Sequence, residues 1–274
     1  MSRHTKIVAT LGPASSTPEV LERMVQAGID VVRMNFSHGT ADDHKARADG
    51  IRAAAAKFGR TVGILGDLQG PKIRVGKFAD GKITLVVGEA FILDATCALG
   101  NQERVGLDYK DLPKDVVNGD ILLLDDGRLK LEVTGVRGPE IHTRVIVGGE
   151  LSNNKGINRQ GGGLTAPALT AKDMDDIKTA AQIGVDFVAV SFPKSAADMY
   201  MARQLLRAAG SSAVLIAKIE RVEAVTNLEE ILDASDGVMV ARGDLAVEVG
   251  DASVPALQKK MIRLARDKNK LTIT

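Results

Sequence analysis

The sequence predicts an α/β protein: a (β/α)8 TIM-type barrel, incomplete at its C-terminal end, with a small all-β barrel domain inserted into it. Three observations carry this expectation. One pattern recurs: "AGIDVVRMNFS" (Ala27 to Ser37), "IGVDFVAVSFP" (Ile183 to Pro193) and "ASDGVMVARGD" (Ala234 to Asp244) each run from a turn into an apolar strand that ends in polar residues, after a segment of helical apolar spacing. The strands are also nearly continuous in apolar character, as parallel strands covered on both faces must be. Between Asp67 and Ala171, finally, the helical period disappears and short β-type segments take over.

In chain order, "KIVATLG" reads as the first strand, and "PEVLERMVQAG" as a helix whose Gly28 sits where a C-cap needs positive φ. "VVRMNF" and "VGILGDL" are the next two strands. The insert follows: "KITLVVGEAFILDAT", "DILLLDDGRLKLEV" and "EIHTRVIVGG" read as strands joined by glycine turns, and Asp126-Gly127 is a hairpin signal. About a hundred residues is domain-sized rather than loop-sized. The expected division is therefore a barrel domain over residues 1–70 and 172–274 and an inserted β-domain over residues 71–171, hung on two crossovers as a lid. The barrel resumes with the helix "AKDMDDIKTAAQIG", capped by Gly184, then strand "FVAVSF", strand "VLIAKI", one helix over "VEAVTNLEEILDAS", strand "GVMVAR" and the first residues of a seventh strand in "KLTIT". No dinucleotide-type glycine signature argues for an open doubly wound sheet instead. Six strands and the start of a seventh cannot close an eight-stranded barrel, so exposed strand edges and self-association are expected.

Bulk composition removes several function classes. The chain has 274 residues, 45% hydrophobic, enough for one large core and a smaller satellite. A formal net charge of +1, 3% aromatic residues and no tryptophan leave neither a cationic face nor a stacking platform, so nucleic acid is not expected. The single cysteine, Cys97, rules out an intrachain disulfide framework; it reads as structural and fits a reducing compartment. No apolar stretch approaches bilayer length, and a soluble cytoplasmic protein is expected.

Chemistry in such barrels sits at the carboxyl ends of the strands. Those ends carry Arg33, Asn35 and Ser37; Asp67 and Gln69; Ser191; Lys218 and Glu220; Arg242 and Asp244. In "VLIAKIER", strand alternation places Lys218 and Glu220 on one face, at the end of a strand that otherwise avoids charge. Glu220 and Asp244 could hold a Mg2+ or Mn2+ ion that keeps waters or substrate oxygens in its other positions. Lys218, Arg33 and Arg242 offer positive charge to an anionic substrate or a transferring phosphoryl group. An isolated Lys/Glu pair is as readily a structural ion pair; three charged strand ends together favour chemistry. His38 and His44 lack zinc-site spacing, and a local hydrogen bond is the expectation for a histidine near a helix start. The glycines at 161–163 read as a hinge, and no Walker loop occurs.

Together, "TKIVATLGPAS", "RMNFSHG", "GDLQGPKIRVG", "SNNKGIN", "AVSFP", "AKIE" and "MVARGDLAVE" resemble the pyruvate kinase family, in the same order and across the whole chain. The resemblance implies phosphoryl transfer from phosphoenolpyruvate to ADP, giving pyruvate and ATP in glycolysis. It implies that Lys218 stabilises the transferring phosphoryl group and the enolate, that Arg33 binds substrate phosphate, that Gly243 offers a backbone contact to substrate, and that Glu220 and Asp244 ligate the divalent metal. Asn35, Ser37 and Asp67 match a monovalent-cation pocket; His38, Arg74 and Lys155 match residues near the nucleotide phosphates. Two departures stand out. Leu68 and Lys72 occupy positions where potassium-dependent members carry threonine and glutamate, so the Lys72 ammonium is expected to replace K+. After "KLTIT" the family continues into an active-site threonine, a last strand and a C-terminal domain that carries contacts of a homotetramer; Thr274 falls two residues short of that threonine. A truncated chain is thus expected, and two other readings stay open beside catalysis by it: a non-catalytic metal- and ligand-binding fragment, and a Schiff-base lysine aldolase or lyase on the same barrel.

Overall fold

The structure, a computed structural model, describes residues 4–274. Its barrel half begins β1 (Val8–Thr10), α1 (Pro18–Ala27), β2 (Val31–Asn35), α2 (Ala41–Lys57), β3 (Gly63–Asp67). The β-rich part follows as β4 (Lys82–Leu85), β5 (Ala90–Asp94), β6 (Arg104–Gly106), α3 (Leu112–Asp115), β7 (Ile121–Leu124), β8 (Leu129–Arg137), β9 (Glu140–Val147), β10 (Gly149–Ser152) and β11 (Ile157–Arg159). The chain then returns through α4 (Ala171–Ile183), β12 (Phe187–Val190), α5 (Ala196–Ala208), β13 (Val214–Ile219), α6 (Val222–Thr226), α7 (Leu228–Ala234), β14 (Gly237–Val240), α8 (Arg242–Val249), α9 (Val254–Asp267) and β15 (Leu271–Ile273).

Seven strands form one sheet in the order β1-β2-β3-β12-β13-β14-β15, every neighbouring pair parallel. Sequential neighbours with helices between them are the partial TIM-type barrel that the repeated unit predicts. Side-chain alternation then divides the interior. Leu65, Ala189, Ile216 and Met239 form a small inner cluster. Leu215, Ala217 and Ile219 belong instead to the large core packed against the helices. Ile216, Lys218 and Glu220 therefore share the inner face, with the two charges at its carboxyl end.

Local signals set the helix ends. Thr40 and Thr170 cap α2 and α4, each exchanging hydrogen bonds with the aspartate three residues on. Gly28 and Gly184 end α1 and α4 with φ of 98° and 69°, a conformation any Cβ would disfavour. The single helix expected over "VEAVTNLEEILDAS" is interrupted instead. Asn227 (φ −95°, ψ 22°) separates α6 from α7, and its side-chain amide donates to the Lys194 carbonyl at 2.8 Å, outside the helix.

The β-rich part has its own core, from Ile73 to Ala166, with Phe91, Leu122 and Leu131 fully enclosed. Its main sheet runs β11-β7-β8-β9-β5-β6. Arg74 bridges Gly156 beside one edge of that sheet, and Val75 bridges Leu107 beside the other, so a single short segment joins both edges. The short helix α3 makes this part β-rich rather than all-β. The expected hairpin lies between β7 and β8, where Asp125, Asp126 and Gly127 all have positive φ, a longer turn than two residues make. No helix of the described residues is long and apolar enough to cross a membrane.

Asp173 ties the β3 crossover to the barrel. Fully buried, it accepts from the Gly70 amide at 3.0 Å and from the amide and hydroxyl of Thr170 at 2.8 and 2.7 Å. Asp173→Ala would strand a buried N–H and remove a cap, at a cost of about 3 kcal/mol. Urea denaturation should show a lower midpoint with an unchanged slope; an unchanged midpoint would refute this anchoring role.

Candidate active site

Lys218 is the centre of a buried network. Its ammonium lies 3.0 Å from Glu220 Oε1 and 3.1 Å from Asp67 Oδ1, and donates to Ser191 Oγ at 2.7 Å. Ser191 passes a hydrogen bond to the Leu68 carbonyl at 2.7 Å. Asp67, 1% exposed, also accepts from Arg33 Nε at 2.6 Å, and Arg33 Nη1 reaches Thr10 Oγ1 at 2.9 Å. The parallel register makes this possible: Asn35 pairs with Asp67 and Asp67 with Ala189, so the ends of β1, β2, β3, β12 and β13 come level.

The electrostatics follow from burial. Burial pushes the Lys218 pKa down, but Glu220 and Asp67 more than offset it, and the pKa is raised. Glu220 departs from simple ion-pair behaviour: complete burial raises its pKa, Lys218 opposes this, and the Asp244 carboxylate raises it further. The phenyl-bearing residue at the end of β12 offers a second stabilising contact, since the Phe192 amide donates to Glu220 Oε2 at 2.8 Å.

Asp244 stands in the first turn of α8, facing a cleft of about 1170 Å³ between that helix and the β7–β8 hairpin. Lys72, Asp126, Gly127, Arg242 and Gly243 line the same cleft, whereas Lys218 and Glu220 do not. The Lys72 ammonium lies 3.3 Å from Asp244 Oδ1 and 3.8 Å from Asp126 Oδ1. Among the described residues no group of three or more His, Cys, Asp or Glu side chains could cage a metal ion. Glu220, whose proton affinity the Asp244 carboxylate raises, and Asp244 itself nevertheless fit a hard divalent cation that keeps waters or substrate oxygens in its remaining positions.

The other sequence-predicted residues separate. Asn35 and Ser37 are joined locally, the Ser37 amide donating to Asn35 Oδ1 at 3.0 Å. Lys72 does not join them; its cation is placed on Asp244 instead, and the buried Leu68 side chain belongs to the large core. Asp67 has its charge matched by Arg33 and Lys218. Arg74 donates to the Asn154 carbonyl and Lys155 pairs with Asp125 at 2.7 Å, both within the β-rich part, while His38 is exposed. Gly243 has open space where a Cβ would stand. His44 does not make the expected local hydrogen bond: it is buried, stacked on Phe36 at 4.2 Å with neither ring nitrogen bonded, and burial lowers its pKa. Thr10, Phe192 and Asp126 were not legible as site residues. Thr10 reads as an ordinary strand residue and Asp126 as an ordinary turn residue, and nothing in "AVSFP" betrays a left-handed phenylalanine.

Comparison with known proteins gives a consistent result. The family model described as "Pyruvate kinase, barrel domain" matches residues 2–274. The chain is 59% identical to a pyruvate kinase of Haemophilus influenzae and 58% identical to pyruvate kinase II of Salmonella typhimurium, over 99% of its own length and 58% of theirs. It is 46% identical to a pyruvate kinase of Mycobacterium tuberculosis, over 100% of this chain and 58% of that one. The chain thus spans well under two thirds of the length of these relatives.

Removing the ammonium tests the network. Lys218→Met leaves two buried carboxylates short of a partner, a loss of about 3–5 kcal/mol at neutral pH. It also raises the Glu220 pKa further, because Lys218 is what lowers it. A carboxyl whose folded pKa exceeds its unfolded value binds extra protons when folded, so stability falls as pH rises through that interval. The deficit of Lys218→Met against wild type, read by urea denaturation, should therefore shrink as the medium is acidified towards about pH 5. A deficit constant with pH would contradict this coupling.

Proposed function

Because the chain belongs to the pyruvate kinase family, we propose that the protein transfers the phosphoryl group of phosphoenolpyruvate to ADP, giving pyruvate and ATP. The observation that carries this is the protonated, buried Lys218 beside Glu220, Asp67 and Arg33, at the carboxyl end of parallel strands. Phosphoryl transfer needs positioning and charge neutralisation above all, since negative charge spreads over the transferring oxygens.

In this reading Lys218 stabilises the transferring phosphoryl group and the enolate left behind, held in place by Ser191 and two carboxylates. Arg33, braced by Asp67 and Thr10, holds substrate phosphate. Glu220 and Asp244 are the residues that would hold a divalent cation, Mg2+ or Mn2+, which when bound supplies further charge neutralisation to substrate oxygens. Gly243, near the start of α8, lets substrate approach the backbone. His38, Arg74 and Lys155 are assigned to the nucleotide phosphates. Residues 71–171 form the lid and residues 1–70 and 172–274 the barrel; Leu68 in the barrel core and Ile73 in the other support the first boundary, whereas Leu169, already in the barrel core, puts the change of core at the second boundary between Ala166 and Leu169. Closure of the lid excludes the water that would otherwise intercept the phosphoryl group.

Lys72 supports independence from K+. A fixed ammonium 3.3 Å from Asp244 already places in the cleft a positive charge that a monovalent ion would otherwise bring. The Asn35, Ser37, Asp67 cluster then serves as a polar scaffold, with Asp67 engaged by Arg33 and Lys218.

Three measurements check this. Pyruvate formation from phosphoenolpyruvate and ADP with Mg2+ should fall at least about 10²–10³-fold in Lys218→Met. A lysine adduct trapped by borohydride with pyruvate would favour Schiff-base chemistry instead. The wild-type rate should change little when K+ is replaced by a bulky organic cation; a large loss would refute K+ independence.

A further inference from the structure

The chain leaves β12 through a backbone conformation that its side chain disfavours. Phe192 has φ +55°, in the left-handed region that is an outlier for a bulky residue. It is also 6% exposed, so the surroundings must enforce it. The ring is hemmed in on two sides. Gly70, after β3, approaches so closely that a Cβ there would stand 3.0 Å from Phe192 Cδ2 and 2.8 Å from Ser191 Cβ. The Arg221 guanidinium, itself nearly buried, lies 5.4 Å from the ring centroid.

What the conformation achieves is visible at the amide. The Phe192 N–H donates to Glu220 Oε2 at 2.8 Å, while Glu220 Oε1 faces Lys218 at 3.0 Å. One residue earlier, Ser191 receives the Lys218 ammonium and donates to the Leu68 carbonyl. Because φ is the angle between the 191–192 peptide plane and the rest of Phe192, a return to negative φ with the chain beyond Phe192 held in place would turn that plane, and the N–H with it, away from the carboxylate. Glu220 would then keep Lys218 but lose the contact that distinguishes its two oxygens.

We propose that Phe192 is a positioning residue for the Glu220 carboxylate: its wedged ring holds the backbone left-handed, and the backbone aims an N–H that fixes which Glu220 oxygen remains for Lys218 and a divalent cation. The cation rests on the metal-ligand reading above; the carboxylate geometry does not.

Two substitutions separate positioning from packing. Phe192→Ala removes the ring but keeps a Cβ, so nothing opposes the backbone's return to negative φ. Phe192→Gly removes more volume yet keeps φ > 0 without penalty. In the full-length protein, Mn2+ binding followed by electron paramagnetic resonance without substrate should weaken about five- to thirty-fold in Phe192→Ala and stay within about twofold of wild type in Phe192→Gly. Packing alone predicts the reverse order, glycine the worse, and that order would overturn the proposal.

Amide hydrogen exchange at residue 192, measured by NMR without metal, gives a second readout. Protection is expected in wild type and Phe192→Gly, with faster exchange in Phe192→Ala and Glu220→Ala. An unprotected wild-type amide would also overturn the proposal, even if Phe192→Ala failed to fold. A protected amide in a protein that binds no Mn2+ would refute the metal-ligand reading and leave the positioning of Glu220 supported.

Discussion

An ammonium buried among carboxylates is the constraint on which this structure turns. A buried lysine is stable only when opposite charge and hydrogen bonds replace the water it loses. Here three strand ends supply that replacement directly, through Asp67, Ser191 and Glu220 around Lys218, and two more hold Asp67 in place, Arg33 by binding it and Thr10 by accepting from Arg33. Each is brought in by parallel register, so a shift of one strand by one residue would put its contribution on the opposite face. The barrel is therefore more than a scaffold on which the site rests. Its strand register is what makes the buried charge tolerable.

The β-rich part meets this network through charge as well as packing. Lys72 lies at the root of the insert, yet its ammonium reaches Asp244 on α8 and Asp126 on the hairpin. Further along, the Gly163 amide donates to the Glu223 carboxylate and Asn158 approaches Glu248 at 3.5 Å. These are small polar contacts rather than a continuous apolar seam, and the two large cores hold separate sets of residues. Contacts of that kind are compatible with the lid role proposed for this part.

Much of the site was legible because strand alternation has so short a period. Lys218 and Glu220 could be placed on one inner face from "VLIAKIER" alone, and Ile216 confirms the parity by lying in the inner cluster. What escaped were features set by tertiary contact. Lys72 was read into the Asn35, Ser37, Asp67 cluster from its motif, but a long flexible side chain goes to the nearest unmatched carboxylate, and Arg33 with Lys218 had already taken Asp67. Phe192 could not be read as left-handed, because propensity argues against it and only Gly70 and Arg221 explain it. The break at Asn227 likewise depends on a carbonyl thirty-three residues away.

The network also has a charge logic. Lys218, Arg33 and Lys72 stand against Asp67, Glu220 and Asp244, three charges of each sign, and the exposed Arg242 and Asp126 of the cleft add one more of each. Such a balance is stable by itself but poorly disposed to accept one further ion, because a lone anion or a lone cation would leave net charge beside the buried Lys218, Asp67 and Glu220. A phosphate-bearing anion arriving with a divalent cation disturbs the balance far less. On the proposed reading, the same pairing that lets Lys218 stay buried favours joint occupation by a divalent cation and an anionic substrate, and the orientation of Glu220, which faces the ammonium and would face that cation, is the point where the two requirements meet.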